Sequence, residues 1–202
     1  GQGRTGTREN PVCFFAYPPD YESGNYPILD CSQVDMTGHY FNNGLEIYAT
    51  DWLHFKGLTI RNVYQPTTPD PGYDNQHQVA SGIGTYVCSN ITFENMTVND
   101  IGGRAFSGAF VVGYYGIDSD TTKWINCDAY NCIDSLSPQP GNAADGWKIG
   151  GEYNTGYTSG GRFEFIGCRA WNCSDDGFDP HGCFQVLFDH CWSFYNGHYA
   201  SV

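Results

Sequence analysis

The sequence predicts an all-β chain of 202 residues wound as a right-handed parallel β-helix, a solenoid forming one domain over 1–202. Three observations carry this. One short motif recurs five times, its internal offsets stay constant while its spacing varies, and no segment holds helical periodicity over about 11 residues.

The repeats are "FKGLTIRN" from Phe55, "FENMTVND" from Phe93, "WINCDAYN" from Trp124, "FIGCRAWN" from Phe165 and "FDHCWSFY" from Phe188. Each opens on an aromatic, and the fourth position is Leu58, Met96, Cys127, Cys168 or Cys191. Two residues on stand Ile60, Val98, Ala129, Ala170 and Ser193, separated from the fourth position by mostly polar residues. That alternation is the period of a half-buried strand. Next come Asn62, Asp100, Asn131, Asn172 and Tyr195, and Asn suits the left-handed backbone of a sharp corner. The repeats start 38, 31, 41 and 23 residues apart. Equal strands joined by unequal loops suit a solenoid, in which each coil buries its face only by stacking on its neighbours. An antiparallel sandwich also yields short alternating strands, but does not require one residue type at one offset five times.

Residues 9–32, "ENPVCFFAYPPDYESGNYPILDCS", read as strand, loop and strand, so the chain is expected to begin inside a coil. "WSFYNGHYASV" stops where another coil would follow, so terminal coils are expected to be missing and the chain reads as a fragment of a longer protein. "YQPTTPDPGYDNQHQ", 64–78, reads as a loop at a groove rim.

Composition narrows the function. Acidic residues outnumber Lys and Arg by 22 to 9, giving a net charge of −13, which argues against nucleic acid. It argues equally against direct binding of an acidic polymer unless a cation mediates. The longest apolar run, "AFVVGYYG" from Ala109, is too short to span a membrane. "GQGRTGTREN" lacks the apolar core of a signal peptide, so the start reads as that of a mature protein or excised piece. Nine cysteines suit an oxidising compartment, and the protein is read as secreted.

"CRAWNCSDDGFDPHG", 168–182, sets Asp175, Asp176 and Asp179 within five positions. Such carboxylates repel unless a cation sits among them, and Ca²⁺ takes six to eight hard oxygens. An EF-hand is excluded by the spacing. One coil earlier, "GNAADGWKIGG" places Asp145 in the same Asp-Gly-aromatic setting. Asp145, Asp175, Asp176 and Asp179 would then make a calcium site spanning two coils. Alternatively these residues only form Asp-Gly turns on a wet surface.

The pair "NAADGW" and "CRAWNCSDDGFD" resembles the motifs of polysaccharide lyase family 9, pectate lyases built on a right-handed parallel β-helix. The resemblance is most specific over 142–179. It implies that Asp145, Asp175, Asp176 and Asp179 bind a catalytic Ca²⁺ that bridges the protein to the carboxylate of a pectate-like uronate polymer. It further implies proton abstraction by a neutral lysine and β-elimination. The family's lysine follows the aspartates by more than one coil, whereas the three lysines here are Lys56, Lys123 and Lys148. The base is therefore expected beyond Val202, and the chain is expected to bind calcium without completing catalysis. The alternative is a non-catalytic β-helix that binds carbohydrate or serves as a surface structure. A glycosidase fits less well, because the acids crowd too tightly.

Lys148 is the catalytic candidate within the chain, although alternation from Asp145 points it to the opposite face from the metal; the alternative is that it flanks the groove at a corner in a structural or sugar-carboxylate role. Arg169 and Trp171 are candidate substrate contacts, the first for a uronate carboxylate and the second for a sugar ring. Cys127, Cys168 and Cys191 occupy the inward offset and read as small core residues rather than zinc ligands. Cys132 and Cys173 share an offset one coil apart and either stack or form a disulfide, and Cys13 with Cys31 is a second candidate disulfide.

Overall fold

In the computed structural model the fold is that of a parallel β-helix, and residues 5–35, 42–67, 79–110, 121–150 and 159–197 are described. In chain order the elements open with β1 (Val12–Phe15), α1 (Pro18–Ser23), β2 (Ile28–Asp30), β3 (Asn42–Tyr48), β4 (Asp51–Lys56) and β5 (Thr59–Val63). The middle coils hold β6 (Ala80–Glu94), β7 (Thr97–Ile101), β8 (Gly103–Phe110), β9 (Thr121–Ile125), β10 (Asp128–Cys132) and β11 (Trp147–Gly150). The series ends with β12 (Ser159–Ile166), β13 (Arg169–Trp171), β14 (Phe178–His181), β15 (Cys183–Asp189) and β16 (Trp192–Phe194).

The pairs are parallel and define three faces. Face one holds β3, β8, β11, β14 and the first half of β6. Face two holds β1, β4, β9, β12, β15 and the second half of β6. Face three is the six-stranded sheet β16-β13-β10-β7-β5-β2. The fifteen residues of β6 run through the corner between faces one and two and join them into one ten-stranded sheet.

The recurring motif is the stacking rule of this solenoid. Phe14, Phe55, Phe93, Trp124, Phe165 and Phe188 are register partners in succession along face two. Their rings stack at centroid distances of 4.9, 5.5, 5.8, 4.7 and 4.8 Å. A shorter column, Phe106, Trp147 and Phe178, lines face one at 4.9 and 4.6 Å. Parallel strand spacing near 4.8 Å brings identical rings into offset contact, and each such pair adds about 0.5–1.5 kcal/mol beyond burial. Beside the face-two column the thiols of Cys127, Cys168 and Cys191 donate to the carbonyls of Phe93, Trp124 and Phe165 at 3.4, 3.3 and 3.2 Å. Ile60, Val98, Ala129 and Ala170 fill the core beneath face three.

The corner position behaves as its composition requires: Asn62, Asp100, Asn131, Asn172 and Tyr195 all have φ between 53 and 59°. Asn172 donates to Asn131 Oδ1 at 2.7 Å, and Asn131 to Asp100 Oδ1 at 3.0 Å, an amide ladder across coils. Two expectations change. The segment after β1 is not all loop: Pro18 at the helix start and Gly24 closing it at φ 76° permit the one-turn α1, too short to leave a periodic signature. All nine cysteines are free, so neither candidate disulfide forms; Cys132 and Cys173 are buried thiols. Residues 68–78 of the Pro-rich stretch lie outside the described residues.

Candidate metal and active site

The carboxylates gather where face one meets the preceding turn. Asp145-Gly146 leads into β11 and Asp176-Gly177 into β14, and the two turns stack. Asp176 N–H donates to Asp145 Oδ1 at 3.3 Å, Gly146 N–H to Asp176 O at 2.9 Å, and Trp147 N–H to Gly177 O at 3.0 Å. A Cβ on Gly146 would lie 2.5 Å from Gly177 O, so glycine is what lets the turns approach this closely. Trp147, fully buried, anchors the start of β11 in the core.

Carboxylate oxygens of Asp145, Asp176 and Asp179 lie within 4.8 Å of one another, the only such group of acids, His or Cys among the described residues. Asp145 is 1% exposed, Asp179 half-buried and Asp176 exposed, so the group opens to solvent from a buried floor. Burial pushes the Asp145 carboxyl up to about 7; Lys148 and Arg104 pull it back, while Asp175 and Asp179 add to the rise. Asp175 stands beside this trio rather than in it. Its backbone N–H donates to Ala144 O at 3.2 Å, and burial, then Asp176, raise its carboxyl above the usual range.

Lys148 is the main correction. Rather than turning away from the carboxylates, it is the register partner of Asp179, and its Nζ bonds Asp179 Oδ2. Alternation starts only at Trp147, after the Asp145-Gly146 turn, so counting residues from Asp145 gives the wrong side. Arg169 and Trp171 are not brought to the carboxylates; they lie on β13 of face three. Arg169 grips Asp128 with Nε and Nη2 at 2.7 and 2.6 Å. Trp171 is stacked between Tyr130 at 4.4 Å and Phe194 at 5.8 Å, so both ring faces are covered and neither is open to a sugar.

One residue was not legible beforehand. Arg104, one coil before Asp145 on β8, places Nε 3.9 Å from Asp145 Oδ2. That Nε is buried without a hydrogen-bond partner, while the side chain is partly exposed at the rim of the group. His181 Nδ1 lies 3.9 Å from Asp179 Oδ1. Two fixed cations thus flank three carboxylates, an arrangement suited to a divalent cation and an anionic ligand together.

A solenoid of parallel strands stacked coil on coil in this way is a parallel β-helix, and its family follows from the proteins it resembles. Residues 2–201 match the family described as "Pel9A-like, right handed beta helix region". The chain belongs to this pectate lyase-like right-handed β-helix family. It is similar to pectate lyase L of Dickeya dadantii, 30% identical over 148 residues, 63% of this chain and 32% of that protein. Among solved structures, a rhamnogalacturonan lyase superposes over 98% of this chain and 43% of its own, at TM-score 0.75 and 27% identity. Pectate lyase Pel9A superposes over 96% of this chain and 40% of its own, at TM-score 0.62 and 24% identity, a likeness of fold. The chain therefore spans about a third to two-fifths of the length of these relatives.

Proposed function

We propose that this chain is the β-helix region of a secreted, calcium-dependent polysaccharide lyase that cleaves a pectate-like uronate polymer by β-elimination. The observation that carries the reading is the convergence of Asp145, Asp176 and Asp179 from two successive coils within 4.8 Å. The donor set fits Ca²⁺: all three are hard oxygen donors, and the buried Asp145 carboxylate lacks the water that would otherwise compensate its charge. Asp175, adjoining the trio, is the fourth candidate ligand. Held by these aspartates, a calcium ion would supply the charge that neutralises a substrate carboxylate and so acidifies the proton on the neighbouring carbon.

The chain's own residues supply the rest of the electrostatics. Lys148 and Arg104 are cations at the rim, placed to receive a uronate carboxylate next to the aspartates. For Lys148 to act as the base it must leave Asp179 and give up its proton. Lys148→Met separates the two roles: loss of carboxylate binding raises KM, whereas loss of a base lowers kcat.

The test is a calcium titration by calorimetry on metal-stripped protein, repeated with Asp176→Asn. Asp176 is exposed, so its substitution leaves the core intact. Saturable binding that weakens at least about tenfold in the variant supports the site. Folded wild-type protein that takes up no calcium overturns the reading.

A further inference from the structure

We propose that face two carries a second, calcium-independent site for an acidic saccharide, built around Arg8, Trp52, His54 and Lys123. A groove of about 310 Å³ lies there, lined also by Asn90, Thr92 and Thr121. It is formed by β4, β6 and β9 with the segment before β1, on a different face from the carboxylates. The inference rests on the reading of the substrate as a uronate polymer, and concerns a separate place on the molecule where such a polymer is held.

Charge is the first argument. In a chain of net charge −13, four of the nine Lys and Arg residues, Arg8, Lys56, Lys123 and Arg162, lie on or over this one face. Glu94 serves both His54 and Lys56, at 3.0 and 2.8 Å. Glu164 serves both Lys123 and Arg162, at 2.9 and 2.6 Å. Asp51 is engaged by the N–H and hydroxyl of Ser89, at 2.8 and 2.9 Å. Among the described residues the Arg8 guanidinium has no carboxylate partner and sits 5.8 Å from the centre of the Trp52 ring. A free guanidinium beside an indole matches a ligand that is anionic at one edge and apolar on one face, as a uronate ring is. Thr92 and Thr121 add hydroxyls suited to a sugar's own.

The backbone is the second argument. Trp52 has φ 57°, a left-handed conformation that is unfavourable for a bulky residue. In the next coil the stacked position is Asn90, at φ 55°, the residue type such a corner prefers. Asn90 uses its side chain structurally, accepting from Thr121 N–H at 3.0 Å and donating to Ser89 Oγ at 3.1 Å. Trp52 gives up that arrangement, and its partly exposed ring lines the groove rather than the core. The left-handed corner thus presents an aromatic ring at the groove wall where the neighbouring coil has the Asn that ties its own corner together.

The experiment is calorimetry with a short galacturonate oligomer in chelator, on wild type, Arg8→Ala, Trp52→Asn and Asp176→Asn. Trp52→Asn installs the residue that position accepts in the neighbouring coil, so the fold is retained and only the ring is lost. The expected result is binding without calcium that weakens about fivefold or more in Arg8→Ala and Trp52→Asn and is unchanged in Asp176→Asn. Binding of an uncharged galactose oligomer with equal affinity overturns the acidic-ligand assignment. Oligomer binding seen only with calcium and lost in Asp176→Asn overturns the second site and leaves the metal reading standing. Chelator-resistant binding by a protein that takes up no calcium does the reverse.

Discussion

Replacing Asp145 by Asn removes a charge that the fold holds at 1% exposure. In the folded chain the carboxyl is pushed from 3.8 to about 7, chiefly by burial. A folded-state value above the unfolded one means that the proton is bound more tightly in the native protein. The stability this confers is complete below pH 3.8 and is lost as pH rises through about 7. At about 1.4 kcal/mol per pH unit, the metal-free protein at pH 8 loses up to about 4 kcal/mol relative to acid pH. Asn is close in shape to the protonated acid and can still accept the Asp176 N–H. Metal-stripped Asp145→Asn is therefore expected to melt above wild type at pH 8, and level with it near pH 4. For a chain of this length each kcal/mol corresponds to about 2–4 °C. Added calcium should raise the wild type and leave the variant unmoved, since only the wild type gains by mass action. Thermal melts followed by circular dichroism at both pH values, with and without calcium, make the test. A variant less stable than wild type in metal-free buffer at pH 8 refutes the claim that Asp145 is an uncompensated buried charge.

Phe165→Ala, in the middle of the face-two ring column, should cost about 3–5 kcal/mol in urea unfolding; a loss under about 1 kcal/mol would mean the column does not hold the coils. At the corner, Asn131→Ala should destabilise by about 1 kcal/mol more than Asn131→Gly, because the left-handed backbone penalises a Cβ as well as losing the amide ladder. Equal losses would show that the ladder alone matters. Brief iodoacetamide treatment of native protein, read by peptide mass spectrometry, should modify Cys13 first and spare Cys127, Cys132, Cys168 and Cys173. Burial raises the thiols of Cys132 and Cys168, so their modification before unfolding would contradict the packing.

The repeated aromatic and its offsets were enough to place five rings in one column, because strand spacing forces equal residues into contact whatever the loop length. The sixth ring, Phe14, escaped because "FFAYPPD" follows the aromatic with prolines and the helix α1 instead of the usual inward residue. Alternation distinguishes inward from outward, but a three-faced solenoid has three outward directions. Arg169 and Trp171 face solvent as expected, yet on face three, away from the carboxylates. Arg104 depended on register between coils of unequal length, which no local pattern encodes. Asp145 and Asp176 were legible because repeating Asp-Gly-aromatic marks the same turn in two coils, and Asp179 because it follows the second of these turns directly. Asp175 carries the same residue type, and only the fold sets it apart from the trio.

β6 has no turn between the half that runs along face one and the half that runs along face two. The bend itself is made by left-handed backbone at Val87 and Asn90, φ 57 and 55°, with a register shift against β8 between Tyr86 and Cys88, and parallel pairing resumes on either side of it. The middle coil therefore ties the face bearing the aspartates to the face bearing the basic groove within one sheet. Amide protons of β6 on either side of the bend should then exchange with solvent at a common rate, as one cooperative unit, while the outer coils fray independently.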